Sequence, residues 1–352
     1  MKSSTFSHEL IQAINTYFDG NGISRWANCE MLIKLVVAGV WWSASLLLIF
    51  VYGNSPVSFF FLYGLHLISH LFILINIAHD ANHFAILKNR KGFFSKALTY
   101  SFDLCGISSY MWRLFHNHQH HSAINIEGED DGLVTRGLLR YTNNQNHRFI
   151  HRFQHYYAFI VYSLFSLDYI FVKDFEGFFF PFLNGLKGRK HQPVEYVKLV
   201  GLKLLYVGYM IVLPIVLLDY AVGFVLAIFI AWHLLIGLIA AIVIQVEHPL
   251  RENEFPASKN DYSHFMYHVF ATTSDHSPDS MIARMFYGGL NLHVIHHLAP
   301  RVCHTHYRAL TMVIEPIARK HGVNYKQNKS IFHAIREHYG HLKNLSVANQ
   351  AT

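Results

Sequence analysis

The chain has 352 residues and a net charge of +7; 52% of its residues are apolar and only 14% are charged. Ordinary soluble proteins carry about 25% charged residues, so the composition excludes a disordered chain and favours a membrane protein with a substantial polar part. Histidine is unusually frequent, since its 27 copies outnumber the 22 aspartates and glutamates together. Cys29, Cys105 and Cys303 form no CxxC pair, which argues against a disulfide framework or a thiolate metal site.

Two apolar blocks predict four transmembrane helices. The first block, 35–78, has no charged residue and is interrupted only by Gly-Asn-Ser-Pro, which is typical of a turn. The second block, 204–246, contains a single charge, Asp219, where a second turn is expected. Each half supplies roughly 20 apolar residues, enough to cross a hydrocarbon core. The expected spans are 33–52, 57–78, 203–218 and 222–246, arranged as two hairpins.

The basic residues predict the orientation of these hairpins. Both turns lack lysine and arginine, so the positive-inside rule places 1–30, 79–200 and 247–352 on the cytoplasmic side. Segment 1–30 is polar and mixed, which argues against a cleavable signal peptide. The scattered lysines and arginines argue against nucleic-acid binding, whereas their position fits contact with anionic membrane lipid.

The weaker apolar stretches 97–110 and 156–172 are expected to be helices that lie in the membrane interface. The expected fold is therefore an all-α integral membrane protein with four transmembrane helices in two hairpins, interfacial helices and a cytoplasmic helical cap. We expect it to form a single domain over residues 1–352, with 79–200 and 247–352 as the cap.

Three histidine clusters stand out in the segments expected to be cytoplasmic. They are His79-Asp80-Ala81-Asn82-His83, His116-Asn117-His118-Gln119-His120-His121 and His293-Val294-Ile295-His296-His297. In a helix, the i, i+4 spacing of the first cluster and the i, i+3, i+4 spacing of the third place each set of rings on one face. His116 and His120 are expected to share a face, with His121 about 100° around the helix. Neutral imidazole is a good ligand for iron, zinc or copper.

Without His118, the eight histidines in these clusters are too many for one ion with about four to six ligands, so two metal ions are the economical interpretation. Few carboxylates accompany them, which argues against a carboxylate-bridged site. Asp80 is expected to accept a hydrogen bond from the second ring nitrogen of a ligand. His118 and Asn117 are further candidates for contact with a metal or with its ligands.

Other histidines are expected to have structural roles. The evenly spaced run from His147 to His155 lies among arginines and is typical of the solvated face of a cytoplasmic helix. His66, His70 and His233 fall within the expected spans, where helix packing or tunnel polarity is favoured over metal binding.

The three clusters, with the third extended from Asn291 to Pro300, resemble the histidine boxes of membrane fatty acid desaturases in order and spacing. The resemblance covers about residues 30–345. It implies four transmembrane helices below a cytoplasmic cap that holds a histidine-ligated di-iron centre. It also implies that O₂ and two electrons are used to remove two hydrogens from an acyl chain. The ligands implied are His79, His83, His116, His120, His121, His293, His296 and His297.

The family usually draws a further ligand from the end of the last span. Here Gln245-Val246-Glu247-His248-Pro249 occupies that place, and His248 is given the role. His268 is the competing candidate. With His248 the resemblance places nine histidines around two irons and leaves 18 of the 27 without a metal role.

The stretch from Gly288 to Tyr307 most resembles the linoleoyl-type or front-end branch of the family. That branch commonly has glutamine as the first residue of the third box, whereas this chain has His293, so the position of the double bond is not transferred. No His-Pro-Gly-Gly motif of a fused cytochrome b5 domain occurs. Electrons are therefore expected from a separate ferredoxin or cytochrome b5 type of protein.

The expected function is desaturation of an acyl chain carried on CoA, on acyl carrier protein or in a membrane lipid. Arg113 or Arg140 is a candidate contact for an anionic headgroup. Hydroxylases, acetylenases and epoxygenases use similar boxes and are the nearest alternatives; a non-catalytic metal-binding membrane protein is an alternative from another class. The expected location is a bacterial inner membrane, or the endoplasmic reticulum, with the cap facing the cytoplasm.

Overall fold

The computed structural model describes residues 2–181 and 183–347, and over these ranges the chain is predominantly helical. The helices up to the middle of the chain are α1 (Lys2–Asn21), α2 (Cys29–Tyr52), α3 (Pro56–Asn82), α4 (Phe93–Thr99), α5 (Ser101–Leu104), α6 (Ser109–Trp112), α7 (Gln154–Ser163), α8 (Phe165–Asp168) and α9 (Asp174–Phe179). They are followed by α10 (Pro193–Leu218), α11 (Val222–Gln245), α12 (Phe265–Thr272), α13 (Met281–Phe286), α14 (His293–Leu298), α15 (Tyr307–Lys320) and α16 (Ile331–Asn344). Two short strands, β1 (Asp275–His276) and β2 (Gln327–Asn328), pair in parallel.

Four helices, α2, α3, α10 and α11, are long and apolar enough to cross a membrane. They coincide with the four expected spans, but α3 continues to Asn82 and α10 begins at Pro193, well before the expected 203. The added part of α10 carries Glu195 and Lys198, which an apolar run does not include. Proline suits this start, because the first helical residue needs no amide hydrogen.

Both expected turns are present. Ser55 caps α3 by accepting a hydrogen bond from the amide of Ser58, and Pro56 follows it as the first helical residue. At the other turn, Asp219 ends α10 in the left-handed conformation, with φ of 54°. The short turns join α2 to α3 and α10 to α11. The arrangement of these two pairs as membrane hairpins stays a prediction.

Two glycines allow α11 to pack closely against its neighbours. A Cβ atom on Gly64 of α3 would lie 2.0 Å from the indole ring of Trp232 in α11. The same indole donates to the carbonyl of Phe60 at 2.9 Å. A Cβ atom on Gly237 of α11 would lie 2.5 Å from the carbonyl oxygen of Ser163, at the end of α7. Helix α11 therefore contacts both α3 and the α7–α8 segment.

The two weaker apolar stretches are helical, as expected. Stretch 97–110 includes the end of α4 and the whole of α5, and 156–172 includes most of α7, α8 and a widened turn. Along 156–172, Tyr156, Ile160 and Leu164 are exposed, while the opposite side packs against α11. Their position in a membrane interface stays a prediction.

The N-terminal segment forms a helix that the sequence interpretation left out. Helix α1 packs against α15, where Leu310 and Ile314 are fully buried. The buried side chains of α1 are Phe6, Leu10, Ile14 and Phe18. Their spacing of four residues is the pattern of an amphipathic helix and could have predicted this element.

Candidate metal centre

The first histidine cluster lies at the end of α3. A widened turn over Leu74–Ala78 precedes His79, and the helix ends one residue before His83. The two rings are buried with centroids 4.8 Å apart, as their i, i+4 spacing predicts. The side chain of Asn82 accepts a hydrogen bond from Arg113 at 2.6 Å, which ties this end of α3 to the helix of the second cluster.

The second cluster begins on a wide π-helical turn, Arg113–Gln119, that continues α6, and its last two histidines lie on the 3₁₀ turn that follows. His121 Nε2 lies 3.1 Å from His116 Nε2, whereas the ring of His120 lies 4.7 Å from that of His248, on the other side. The rings of His116 and His120 also stack, with centroids 5.2 Å apart, as expected for a shared face. A π-type turn bonds residues five apart, so the residue at i+5 takes the place that i+4 has in an α-helix.

The third cluster is on α14, whose first turn is capped by Asp275 through a hydrogen bond from the amide of Val294 at 2.9 Å. His293 and His297 lie side by side, with ring centroids 4.7 Å apart. His296 turns toward the first cluster, and its ring lies 4.6 Å from that of His79. The single face expected for this cluster is thus divided between two neighbouring groups.

His248 and His268 have different surroundings. His248 follows α11, and its Nε2 lies 3.2 Å from His297 Nε2. His268 Nε2 instead donates to the carbonyl of Ile124 at 2.7 Å, outside both groups of cluster histidines. The structure therefore brings His248 to the site.

The histidines gather into two buried or half-buried groups in which one ring nitrogen from each residue lies within 4.8 Å of the others. The first group is His79, His83, His116 and His296; the second is His120, His248, His293 and His297. His121 lies between the two groups. Its Nε2 is 3.0 Å from His296 Nε2, and its ring is 4.4 Å from that of His297.

The donor set fits metal ions. His79 Nε2 and His83 Nε2 are buried and lack a hydrogen-bond partner among the described residues, a costly state that a bound cation would relieve. Pairs of Nε2 atoms separated by 3.0–3.2 Å can point their lone pairs at one ion. Each group therefore has the ligand chemistry of a site for iron, zinc or copper.

In several of these histidines the outer ring nitrogen is held by a neighbour, which leaves Nε2 free to face the groups. His120 Nδ1 lies 2.8 Å from a carboxylate oxygen of Asp130. His248 Nδ1 donates to the carbonyl of Thr272 at 3.2 Å. His296 Nδ1 lies 3.3 Å from the hydroxyl of Tyr307.

His293 has two oxygen neighbours. Its Nδ1 donates to the carbonyl of Leu290 at 3.1 Å and lies 2.8 Å from Glu247 Oε2. Sequence reasoning named Glu247 only as a neighbour of His248, and it did not single out Asp130 or Tyr307. Such contacts join distant segments, so spacing along the chain carries no signal for them.

Burial favours the neutral form of seven of these imidazoles, which leaves them able to donate lone pairs. It lowers the pKa of His248 to about 3, and for six others it lowers the pKa well below the usual value. The six are His83, His116, His121, His293, His296 and His297.

The remaining candidates have other partners. Asp80 Oδ1 lies 3.7 Å from His79 Nδ1, beyond hydrogen-bond distance, whereas Asp80 Oδ2 lies 2.8 Å from His304 Nδ1. Asn117 donates to the carbonyl of Asn82 at 2.9 Å. His118 is exposed on the outer side of the second cluster.

The run from His147 to His155 is not the solvated helix face that its spacing predicts. His151 and His155 are buried, and His147 lies before α7 rather than on it. His151 donates to the carbonyl of Gly137, and His147 donates to that of Ser346, both at 3.0 Å. Through these hydrogen bonds the rings of His147 and His151 hold the loop before α7 in place.

The expected contact of Arg140 with an anionic headgroup is also wrong. Only 2% of Arg140 is exposed, so it cannot reach a headgroup from the surface. Its guanidinium donates to the carbonyls of Asn143 and Gln145. Within α3 and α11, His66, His70 and His233 are buried and support helix packing. Their partners are Ser45, Trp42 and Tyr206, respectively.

A cavity of about 270 Å³ adjoins both histidine groups. Its lining includes His79, His116, His120, His248 and His293. Most of its wall is apolar and includes Leu71, Phe102, Ala240 and Leu290. Leu138 and Leu164 line the cavity and are also exposed at the molecular surface, so they mark where the cavity opens.

Apolar helices able to cross a membrane, a site rich in neutral imidazole and an adjoining apolar cavity define a membrane protein built for metal chemistry on an apolar substrate. Comparison with known proteins makes the class specific. The family model described as fatty acid desaturase matches residues 54–329.

Curated relatives agree with that match over nearly the whole chain. The acyl-lipid (8-3)-desaturase of Physcomitrium patens is 31% identical over 96% of this chain and 70% of its own length. The sn-1 linoleoyl-lipid 6-desaturase of Synechocystis is 30% identical over 98% of this chain and 96% of its own. The protein of the same name from Arthrospira platensis is 28% identical over 98% of this chain. The chain therefore belongs to the fatty acid desaturase family, and it is an oxidoreductase.

Proposed function

We propose that the two histidine groups hold two iron ions at which an acyl chain is desaturated. His79, His83, His116, His121 and His296 would hold one ion, and His120, His248, His293 and His297 the other. The observation that carries this proposal is the gathering of nine histidines from four separate segments beside a mostly apolar cavity that five of them line. When bound, iron supplies the O₂ chemistry that removes hydrogen from an unactivated methylene.

The overall reaction consumes one O₂ for each double bond. The acyl chain gives up two hydrogens, a donor supplies two electrons, and two protons are taken up, so that one O₂ is reduced to two waters. The neutral imidazoles leave the positive charge of the ions largely uncompensated. Asp130 and Tyr307 orient His120 and His296 from outside, which fixes the direction of their Nε2 atoms.

The cavity is the proposed binding site for the acyl chain. Its mostly apolar wall suits an acyl chain, whose methylenes carry no group by which one could be distinguished from another. The depth of the chain in the cavity therefore determines which carbons lie beside His79 and His248.

We propose that the substrate is the acyl chain of a membrane glycerolipid rather than acyl-CoA or acyl carrier protein. Two relatives are named linoleoyl-lipid desaturases and another an acyl-lipid desaturase, all with high coverage of this chain. The exposed Leu138, Leu164 and Ile160 near the mouth of the cavity fit an entrance from lipid. The electron donor is proposed to be a separate ferredoxin or cytochrome b5 type of protein.

The four apolar helices are proposed to cross the membrane as two hairpins within one domain, 1–352. Segments 79–200 and 247–352 would form the cytoplasmic cap, with a bacterial inner membrane favoured over the endoplasmic reticulum. This orientation is tested by replacing Asn54 or His118 with cysteine and comparing how each cysteine is labelled from outside and from inside the cell. Labelling of position 118 from outside the cell would contradict it.

The function is tested by expression in a host with a simple lipid composition and by mass spectrometry of each lipid class. We expect a new double bond first in glycerolipids, and none when His79 or His296 is replaced by alanine. Appearance of the double bond first in acyl-CoA would contradict the proposed substrate. A hydroxylated product without a double bond would contradict the proposed outcome of the reaction.

A further inference from the structure

A buried lysine connects the first apolar helix to the region of the histidine groups. Lys34, on α2, is only 7% exposed. Its ammonium donates to Asn76 Oδ1 at 2.8 Å, to the carbonyl of Arg284 at 2.9 Å and to His304 Nε2 at 2.9 Å. Three acceptors use all three donors of an ammonium group. Lys34 thereby joins α2, α3 and α13 to the segment that follows the third histidine cluster.

The lysine determines which nitrogen of His304 carries the hydrogen. An ammonium group can only donate, so His304 Nε2 must accept and His304 Nδ1 must carry the ring hydrogen. That hydrogen is donated to Asp80 Oδ2 at 2.8 Å, and the backbone amide of His304 donates to the same oxygen at 3.0 Å. Lys34 and His304 together therefore fix the orientation of the Asp80 carboxylate.

The other oxygen of this carboxylate faces the first histidine group. Asp80 Oδ1 lies 3.7 Å from His79 Nδ1, an atom with no hydrogen-bond partner in the described part of the chain. A carboxylate on this side attracts the ring hydrogen of His79 to Nδ1 and leaves Nε2 free toward the group. The hydrogen-bonded sequence Lys34–His304–Asp80 thus ends 3.7 Å from a histidine of the group, on which the carboxylate acts through its charge.

Asp80, Cys303 and His304 also lie close enough to form a third set of possible metal ligands. Both ring nitrogens of His304 already have partners, because Nδ1 donates to Asp80 and Nε2 accepts from the ammonium of Lys34. The positive charge at this place is therefore supplied by the protein itself.

We propose that Lys34 and His304 are positioning residues that hold His79 in its ligand orientation through Asp80. This inference rests on the proposed two-iron function. Helix α2 contributes no histidine to either group, but through Lys34 it would help to orient a ligand of the first group. Neither residue contacts substrate in this proposal; both act through Asp80.

The test is anaerobic titration of the purified, iron-depleted full chain with Fe²⁺ against a competing chelator. We expect the wild-type chain to bind two equivalents. Lys34→Met should weaken one equivalent by about 10- to 100-fold and leave the other unchanged, as loss of an orienting contact does in other metal sites. His304→Phe keeps a ring of similar size, and it should give the same result by breaking the contact between Lys34 and Asp80.

Lys203→Met is the matched control. Lys203 is 8% exposed on another apolar helix, and its ammonium lies 2.6 Å from Asp174, away from both groups. Loss of this lysine should lower stability to a similar degree while both iron affinities stay at the wild-type values. Size-exclusion elution identifies any variant that fails to fold; should Lys34→Met do so, His304→Phe decides.

Two results would overturn the inference. The first is that folded Lys34→Met and His304→Phe bind both irons as tightly as wild type. The second is a third metal equivalent in the wild-type chain that disappears in Cys303→Ser, because a metal would then occupy the place given to Lys34. Failure of the wild-type chain to bind iron would instead refute the proposed two-iron function.

Discussion

Nε2 of His248 lies 3.2 Å from Nε2 of His297, although one follows the last apolar helix and the other lies on a short helix 49 residues later. Two neutral imidazoles at this distance, with their outer nitrogens turned away, are arranged as neighbours around one ion. The contact joins the end of α11 to the third histidine cluster. It also separates His248 from His268 as the candidate ninth ligand.

The first prediction concerns these two residues. His248→Ala should remove one of two irons, because it takes one of four nitrogens from the second group. His268→Ala should retain both, since His268 donates to the carbonyl of Ile124 instead. Iron analysis of each purified variant measures this difference. Loss of iron in His268→Ala alone would reverse the assignment.

The second prediction concerns the carboxylate behind His120. Asp130 Oδ1 lies 2.8 Å from His120 Nδ1, and its other oxygen accepts from the amide of Asn125 at 2.7 Å. Asp130→Asn should weaken iron binding at the second group by about 10- to 100-fold while the helices remain folded. Glu129→Gln, at the neighbouring and more exposed carboxylate, is the control and should bind both irons normally. Equal affinity in both variants would contradict the role of Asp130.

The third prediction concerns the acyl cavity. Ala240 lines the cavity on α11, so Ala240→Phe should fill part of it. Product formation from long acyl chains should fall at least about 10-fold, with iron content unchanged. Ala227→Phe places the same ring on an exposed face of the same helix and should have little effect. Unchanged product from long chains in Ala240→Phe would show that the chain binds elsewhere.

The fourth prediction concerns pH. Burial lowers the pKa of His341 to about 4 in the folded protein, against an ordinary value of 6.5. Its Nε2 donates to the carbonyl of Tyr141 at 2.7 Å, and its ring stacks on Phe255. Between pH 6.5 and 4 the unfolded chain binds a proton that the folded chain does not, so stability falls as the pH falls. For this one residue the loss is about 2 kcal/mol at pH 5.

Thermal unfolding at pH 7 and pH 5 measures that effect. His341→Phe keeps an aromatic ring against Phe255 but cannot titrate, so its midpoint should fall less between the two pH values than that of the wild type. Loss of the hydrogen bond to Tyr141 lowers the unfolding midpoint of the variant at both pH values, so this effect cancels when the two midpoints are compared. An equal fall in both proteins would show that His341 is not the titrating group.

Much of the fold could be predicted from the sequence because a membrane requires long apolar segments. All four apolar helices coincide with predicted spans, and Asp219 marks a turn as expected. The ends were less certain, since α10 begins at Pro193 in a stretch that contains charges. Helix α1 was missed although its apolar spacing was readable.

The residues of the site were predicted from cluster spacing, but their partition between the two groups was not. It depends on the wide turn at Arg113–Gln119 and the residues after it, which bring Nε2 of His121 within 3.1 Å of Nε2 of His116. No local pattern distinguishes such a turn from an α-helix. The contacts of Asp130, Tyr307 and Lys34 join segments far apart in the chain, so only the folded structure shows them.

The most direct test of the account is the iron content of the purified wild-type chain. Nine histidines in two groups, with His121 between them, predict two irons per chain. One iron per chain, or a full complement of zinc in an enzyme that still forms double bonds, would contradict the two-iron centre.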